Sequence, residues 1–236
     1  NYRFGDDRNK MQLGGYPSFI PNPDVSWETS EQLNIGFDAY FLGSRLQTSF
    51  DSYKKTTKDW LFRPPVSAVQ GPQSAYVNAG DIVNSGIELA LRWNDRVGEL
   101  QYGAQFNVAT NKNEVTKLGD NSGYIEGDPS VISQGTDPIW RVEKGYPAGY
   151  FRGYKTDGIF QNQAQIDAWE HGFLQDNPQP GDVIFVDTNG DGDVTPDDKT
   201  MIGNPHPDVR IGFGINLAYK GFDFAMSGTG AFGHQI

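Results

Sequence analysis

The chain has 236 residues, with 30 acidic against 19 basic side chains for a formal net charge of −11, no cysteine and 13% aromatic residues. That aromatic share beside 21% charged residues excludes a disordered chain; the negative charge argues against nucleic acid, whose phosphates demand a basic face; the missing cysteines remove a disulfide framework and thiolate chemistry. No apolar run reaches the ~18 residues of a transmembrane helix and no charged-then-apolar leader is read at the start, but a β-barrel gives neither signal, because its strands alternate.

In chain order, the first element alternates at period 2, with Leu33, Ile35, Phe37, Ala39 and Phe41 against Asn34, Gly36, Asp38 and Tyr40. Leu46, Thr48 and Phe50 follow after Gly43-Ser44. The second pair of segments sets Ile87, Leu89, Leu91 and Trp93 against Glu88, Ala90 and Arg92, then Leu100, Tyr102, Ala104, Phe106 and Val108 against Gln101, Gly103, Gln105 and Asn107. Near the end, Val209, Ile211, Phe213, Ile215, Leu217 and Tyr219 oppose Arg210, Gly212, Gly214 and Asn216, and Phe222, Phe224 and Met226 follow after Lys220-Gly221. Six strands in three hairpins are expected.

The turns of these hairpins are tight, at Gly43-Ser44, around 94–98 and at Lys220-Gly221, whereas the connections between hairpins are long, at about 62–80, 111–147 and 161–208. Short and long connections alternate, as they do in outer-membrane barrels, whereas a soluble sandwich keeps most loops short at both ends. Phe41, Trp93, Tyr102, Tyr219 and Phe222 lie beside the short turns, where an interfacial aromatic girdle would sit. Cost decides which face meets lipid. An arginine at the bilayer midplane costs roughly 2–4 kcal/mol, so Ile87, Leu89 and Leu91 point outward and Glu88 and Arg92 point into a wet or plugged lumen. A two-layer antiparallel sheet with one solvated face produces the same alternation and stays open as the alternative.

The sharpest motif runs from Asp187 to Asp198. Laid on the twelve-residue calcium loop, Asp187, Asn189, Asp191 and Asp198 fall at positions 1, 3, 5 and 12, Gly192 at position 6, and Asp193 offers its carbonyl at position 7. Carboxylates so crowded repel one another without a cation, so calcium or a similar hard cation is the expected occupant, the other reading being a plain Asx/Gly turn. Gly228-Thr229-Gly230-Ala231-Phe232-Gly233 spells GxGxxG but lacks the helix a dinucleotide site needs, and its glycines read as relief on a crowded lumen face. His171, His206 and His234 stand alone, Asp6-Asp7 and Asp197-Asp198 are ordinary loop charges, and no nucleophile elbow or phosphate loop occurs, so no enzyme is expected. Ile166, Trp169 and Phe173 at helical spacing predict a short amphipathic helix over 163–173. Trp140, Tyr146 and Tyr150 are the aromatics suited to stacking on a ligand such as a sugar.

The stretch Asn22-Pro23-Asp24-Val25-Ser26-Trp27-Glu28-Thr29 leading into Asn34-Ile35-Gly36-Phe37-Asp38 resembles the SusC/RagA family of TonB-dependent outer-membrane transporters. So do the runs from Tyr53 to Asp59, from Asn78 to Glu88 and from Gly153 to Gln161, the Pro180-Gly181-Asp182 lead into the Asp187 loop, and the run from Ile202 to Asp208. The resemblance covers nearly the whole chain with its blocks in the family's order. It implies an all-β fold, an antiparallel transmembrane β-barrel segment in which residues 1–236 belong to one barrel domain, with long extracellular loops. It also implies import of oligosaccharides or peptides through a large plugged barrel of about 22 strands, driven by the inner-membrane TonB complex and shared with a SusD-like surface lipoprotein. No plug, TonB-contacting box or terminal aromatic strand is read in the sequence, so the chain is expected to be a carboxy-terminal piece of such a machine, embedded in outer-membrane lipid. A secreted, calcium-stabilised β-sandwich that binds or cleaves carbohydrate is the competing class; loop asymmetry and the lack of an acid/base pair favour transport.

Overall fold

The computed structural model describes residues 21–64, 75–119, 123–127, 129, 131–133 and 135–235; Asp6-Asp7 and the middle of the 62–80 connection lie outside them. The strands in chain order are β1 (Thr29–Phe41), β2 (Leu46–Phe62), β3 (Val77–Val97), β4 (Leu100–Thr110), β5 (Lys112–Leu118), β6 (Tyr124–Glu126) and β7 (Trp140–Glu143). They continue as β8 (Tyr150–Gly153), β9 (Thr156–Ile159), β10 (Val183–Phe185), β11 (Thr200–Gly203), β12 (Val209–Tyr219) and β13 (Phe222–Phe232). One helix, α1 (Gln163–Asp167), and a 3-10 turn at Pro196–Asp198 complete the described elements.

All three expected hairpins are present, and they join into one antiparallel wall in the order β1-β2-β3-β4-β12-β13, with β5 continuing along β3 where β4 ends. Partners in an antiparallel ladder share a face. The register therefore threads Ala39, Thr48, Leu91, Phe106, Phe213 and Gly228 into one row across six strands. Phe37, Phe50, Leu89, Val108, Ile211 and Gly230 make the row above it, and Phe41, Leu46, Trp93, Ala104, Ile215 and Met226 the row below. This apolar face is open, with Ile35 67%, Phe37 60% and Phe224 54% exposed, and among the described residues no second sheet packs on it. A sandwich would have buried these side chains. Gly228 and Gly230 correct one expectation: they lie on this outer face, where a Cβ would come within 2.6 Å of the Phe213 ring and 3.0 Å of the Phe232 ring, so the glycines seat aromatic rings rather than relieve the lumen.

The short turns lie at one end of the wall. Lys220 (φ 49°) and Gly221 (φ 86°) form a two-residue turn with both φ values positive, the type I′ geometry whose twist matches the flanking strands. The second turn is tighter than the spacing predicts, because β3 runs on through Asn94 to Val97 and leaves only Gly98 and Glu99 between the strands.

From the other end leave the long connections, and they are shorter or more structured than they read. The first spans only the residues between Phe62 and Val77, since the outer half of β3, despite Gly80, Asn84, Ser85 and Gly86, is held as strand by β2 on one side and β5 on the other. The second holds β5, β6 and β7, and the third holds α1, β10 and β11. There β6, β7, β8 and β11 form a four-stranded sheet in the order β11-β8-β7-β6, and β9 pairs with β10. The predicted helix is cut to five residues because the chain leaves it at Ala168, and Gly172 N–H then donates to the Gly192 carbonyl at 3.1 Å. Its packing survives: Ile166 is buried with Phe160 and Ile184, and Trp169 and Phe173 place their rings 5.8 and 5.9 Å from that of Phe160.

Candidate functional site

The inner face of the wall carries the chemistry. Positions alternate with the apolar rows, so Tyr40, Gln47, Arg92, Gln105, Gly214 and Ser227 share one inner row and Gly36, Asp51, Glu88, Ala109, Arg210 and Ala231 another. Glycines there admit long amides: a Cβ at Gly103 would meet Asn216 Oδ1 at 2.6 Å, and one at Gly212 would meet Asn107 Oδ1 at 2.5 Å. Hollows open in this face, and two of them lie between β1 and β4. One, of about 320 Å³, is lined by Asp38, Tyr40, Gln47, Arg92, Gln105 and Asn107. The other, of about 250 Å³, lies nearer the long connections, between Asn34, Asp51, Tyr53, Lys55 and Glu88. Asp51 stands directly opposite Glu88, a like-charge pairing that a sheet tolerates only with water or a cationic group nearby. The Tyr53 hydroxyl lies 3.2 Å from the Thr110 carbonyl and 3.0 Å from Asn111 Oδ1, which closes the top of this hollow. A surface of amides, hydroxyls and mixed charges can hydrogen-bond a polar solute or a neighbouring protein segment.

Above the wall the long connections build a rim that is seated by hydrogen bonds. Val115 exchanges backbone bonds with Tyr146 (2.9 Å) and Gly145 (2.8 Å), Asn113 Oδ1 accepts from Ala148 N–H (2.8 Å), and Asn111 N–H donates to the Asp208 carbonyl (2.9 Å). His206 Nε2 lies 2.8 Å from the Ala148 carbonyl. The segment before β1 is pinned as well, since Asn78 Nδ2 donates to the carbonyls of Ser26 (3.0 Å) and Asp59 (2.8 Å) while its Oδ1 accepts from Ser26 N–H (2.9 Å). Asn78 was a residue of the family resemblance with no role attached. Its side chain faces a bulge at Asp59 (φ 52°), a tertiary feature without a local signal.

The three aromatics named for ligand stacking are differently placed. Trp140 packs edge-on to Phe62 at 6.3 Å and covers Gly127. Tyr150 is 2% exposed, its hydroxyl donates to Glu143 Oε2 at 2.7 Å, and burial followed by that bond pushes its phenol well above the ordinary range. Tyr146 stacks on Tyr150 at 4.8 Å and is the member of that pair which solvent reaches, at 37% exposed.

In the Asp187 to Asp198 loop every named residue accepts or donates within the loop. Asp187 accepts from Gly190 N–H (2.6 Å) and Gly192 N–H (2.9 Å), Asn189 Oδ1 from Asp191 N–H (2.8 Å), and Asp191 Oδ1 from Asp193 N–H (2.9 Å). Asp198 is fully buried and closes the loop, accepting from Thr188 (2.7 Å) and Asn189 (3.2 Å) through Oδ1 and from Thr195 (2.7 Å) through Oδ2. The Thr195 N–H, against the opposing effect of burial, and then the Thr188 and Asn189 N–H groups hold its carboxyl below the usual range. Position 12 is thus committed to backbone, and among the described residues no three His, Asp or Glu side chains converge as a metal cluster. His171, unassigned by its spacing, places Nδ1 3.4 Å from Asp187 Oδ2.

Comparisons with known proteins agree with this geometry. The family model described as TonB dependent receptor-like, beta-barrel matches residues 1–134. TonB-dependent receptor P3 of Formosa agariphila is 32% identical over 91% of this chain, and TonB-dependent receptor SusC of Bacteroides thetaiotaomicron is 30% identical over 87% of it. The chain spans about a fifth of each, 21% and 19% of their lengths. The RagAB peptide transporter structure superposes with a TM-score of 0.71 at 23% identity, covering 98% of this chain and 24% of that one. An antiparallel wall with one apolar and one polar face, short turns at one end and a built rim at the other, matched over more than half its length by the family model, belongs to the β-barrel of the TonB-dependent receptor family.

Proposed function

We propose that this chain is wall and outer rim of an outer-membrane receptor that imports oligosaccharides or peptides, drawing energy from the TonB complex and working with a SusD-like surface lipoprotein. The observation that carries the reading is the pair of faces. An outward surface free of Asp, Glu, Lys and Arg runs unbroken over six strands from the row of Ile35 to that of Trp93, backed by a polar inner surface that carries hollows. The family membership and the SusC-type relatives support it. Among the described residues no strand pairs with the outer edge of β1 or of β13, and a row of unpaired backbone groups costs several kcal/mol apiece in lipid, so further strands are needed to close the wall. The test is the full-length receptor in its own outer membrane: heat-modifiable migration, co-purification of a surface lipoprotein, and growth or uptake on oligosaccharides and on peptides with and without the gene. A receptor that fractionates as a soluble protein overturns the reading.

We further propose the Asp187 loop as a hard-cation site of this rim. The support is its spacing and its turns, in which Asp187, Asn189 and Asp191 each keep lone pairs beyond those taken by N–H groups, with the Asp193 carbonyl beside them. Calorimetric titration with calcium, on the receptor and on the Asp187→Ala, Asp191→Ala double variant, tests it.

A further inference from the structure

The four-stranded rim sheet gathers rings and charges that neither the wall nor the Asp187 loop engages. Its register sets Tyr124 of β6 beside Glu143 of β7, Glu126 beside Arg141, and Arg141 beside Tyr150 of β8, so these five side chains share one face. The opposite face turns inward, with Val142 buried and Trp140 against Phe62. On the first face the polar groups form one chain. The Arg141 guanidinium lies over the Tyr124 ring, 3.8 Å from its centroid, and donates to Glu126 Oε1 through Nη2 (2.5 Å) and Nε (3.1 Å). Its Nη1 stands 3.8 Å from Glu143 Oε2, the oxygen that also takes the Tyr150 hydroxyl. Tyr146, in the turn after β7, donates its N–H to the Glu143 carbonyl (3.2 Å) and stacks its ring on Tyr150. Two stacked pairs, Tyr124 with Arg141 and Tyr146 with Tyr150, therefore flank Glu143. Glu126 Oε2 and Glu143 Oε1 accept no hydrogen bond among the described residues, and solvent reaches both carboxylates as well as Tyr124, which is 42% exposed, and Tyr146.

We infer that this face is a binding site for a neutral oligosaccharide, in which a sugar ring stacks on Tyr146 and its hydroxyls donate to Glu143 and Glu126. The site rests on the import reading above and narrows it to one substrate class. An ionised carboxylate only accepts, so its unused oxygens call for donors, and the face of a tyrosine calls for a flat apolar surface. A pyranose supplies both, with hydroxyls around its rim and C–H groups on its faces. Charge turns other solutes away. Two carboxylates against one guanidinium leave the face negative, which repels uronic acids, sulfated sugars and acidic peptides. A cationic peptide group would have to share the carboxylates with Arg141, already lodged between them, at the cost of like charges side by side. A neutral peptide would be held by adding a strand at the outer edge of β6 and would owe nothing to the rings. The platform is also fixed in advance: Gly145 and Tyr146 exchange backbone bonds with Val115 of β5, at 2.8 and 2.9 Å, so little order is left for a ligand to impose.

The experiment titrates the full-length receptor, purified in mild detergent, by saturation-transfer NMR. The probes are hexamers of α- and β-linked glucose, mannose, galactose and xylose, with hexagalacturonate and a neutral hexapeptide for comparison. At least one neutral hexamer should bind and hexagalacturonate should not. Tyr146→Leu, which keeps an apolar cover over Tyr150 but removes the ring, should weaken that hexamer on the order of tenfold, whereas Tyr146→Phe should stay within about twofold of wild type. Glu143→Gln, which can still accept from Tyr150, should weaken it by about fivefold. Phe222→Ala, which removes an exposed ring at the short-turn end of the wall, should change nothing. If no neutral hexamer binds, if hexagalacturonate or the hexapeptide binds as tightly as the best of them, or if Tyr146→Leu binds like wild type, the site is overturned and the import reading stands. A wild-type receptor without heat-modifiable migration overturns both.

Discussion

The wall and the rim are two solutions to one problem, built from the same chain. In the wall almost nothing is buried: its large apolar side chains are exposed in the chain alone and are satisfied by lipid, so its order comes from ladders of 11 to 21 residues. In the rim the strands are three to four residues long, the pairings break register, and order comes from a small buried core of Phe160, Ile166 and Ile184 with its ring neighbours. One part is held by backbone and solvent, the other by side chains, and each should fail by its own mechanism.

The largest expected effect separates them at the rim core. Phe160 is 2% exposed and touched by Trp169 and Phe173, so Phe160→Ala should cost the rim about 3–5 kcal/mol. Limited proteolysis of the full-length receptor should then cut within 160–185 while heat-modifiable migration is unchanged. Simultaneous loss of barrel migration would join the two regions into one cooperative unit.

The next effect breaks the wall and spares the rim, and it turns on adjacent residues. Phe106 sits in the middle outward row and Gln105 beside it faces inward. Phe106→Arg places a guanidinium in hydrocarbon at roughly 2–4 kcal/mol, whereas Gln105→Arg places it in the wet polar hollow opposite Arg92, at the smaller cost of a solvated like-charge cross-strand pair. Folding yield into bilayers, compared for the two variants, reads the difference. Equal yields would mean that the assignment of faces is wrong.

The same contrast explains what was legible. Each wall strand repeats a two-residue rule over many residues, so Leu33 to Phe50, Ile87 to Val108 and Val209 to Met226 could be paired and faced from pattern alone, and a one-residue slip would have exchanged the faces. The outer half of β3 was missed because Asn84, Ser85 and Gly86 carry turn chemistry, which the pairing of β2 and β5 on either side overrides. The rim strands were missed for a related reason: three residues such as Val183–Phe185 hold no period, and their strand geometry exists only through Ile159 and Thr156 across from them. Gly228 was seen but placed on the wrong face, since a glycine has no side chain with which to declare one. In the loop, spacing found Asp198 but not its use, which depends on three N–H groups brought together by folding.

That use gives a smaller, pH-dependent effect confined to the rim. Because the folded carboxyl of Asp198 titrates below the usual range, its contribution is complete above the unfolded value of about 4 and is lost as pH falls from there through the folded value. Exchange protection of the Thr188, Asn189 and Thr195 amides should therefore drop between pH 5 and the acid limit while protection in the wall holds. Asp198→Asn, which replaces one acceptor oxygen with a donor, should lower it at neutral pH by about 1–3 kcal/mol. Amides in the loop that ignore both changes would show that another contact closes it.

The smallest effect asks whether the rim has a second source of order. Asp187, Asn189 and Asp191 already hold the loop through turns, and Asp198 is engaged elsewhere, so a cation would find a prepared but incomplete shell of Asp187, Asn189, Asp191 and the Asp193 carbonyl, finished by water. Affinity should be weak for that reason. At tenfold excess of calcium over its dissociation constant the gain in loop stability is only about 1.4 kcal/mol. His171 sharpens the test, because its Nδ1 lies 3.4 Å from Asp187 Oδ2 and so competes with a cation for the first ligand. His171→Gln, which takes the imidazole away from Asp187, should accordingly tighten calcium protection of the loop by a small factor. If calcium adds no protection at any pH, the hydrogen bonds now seen are the whole of what orders the loop, and its acidic spacing serves the turns alone.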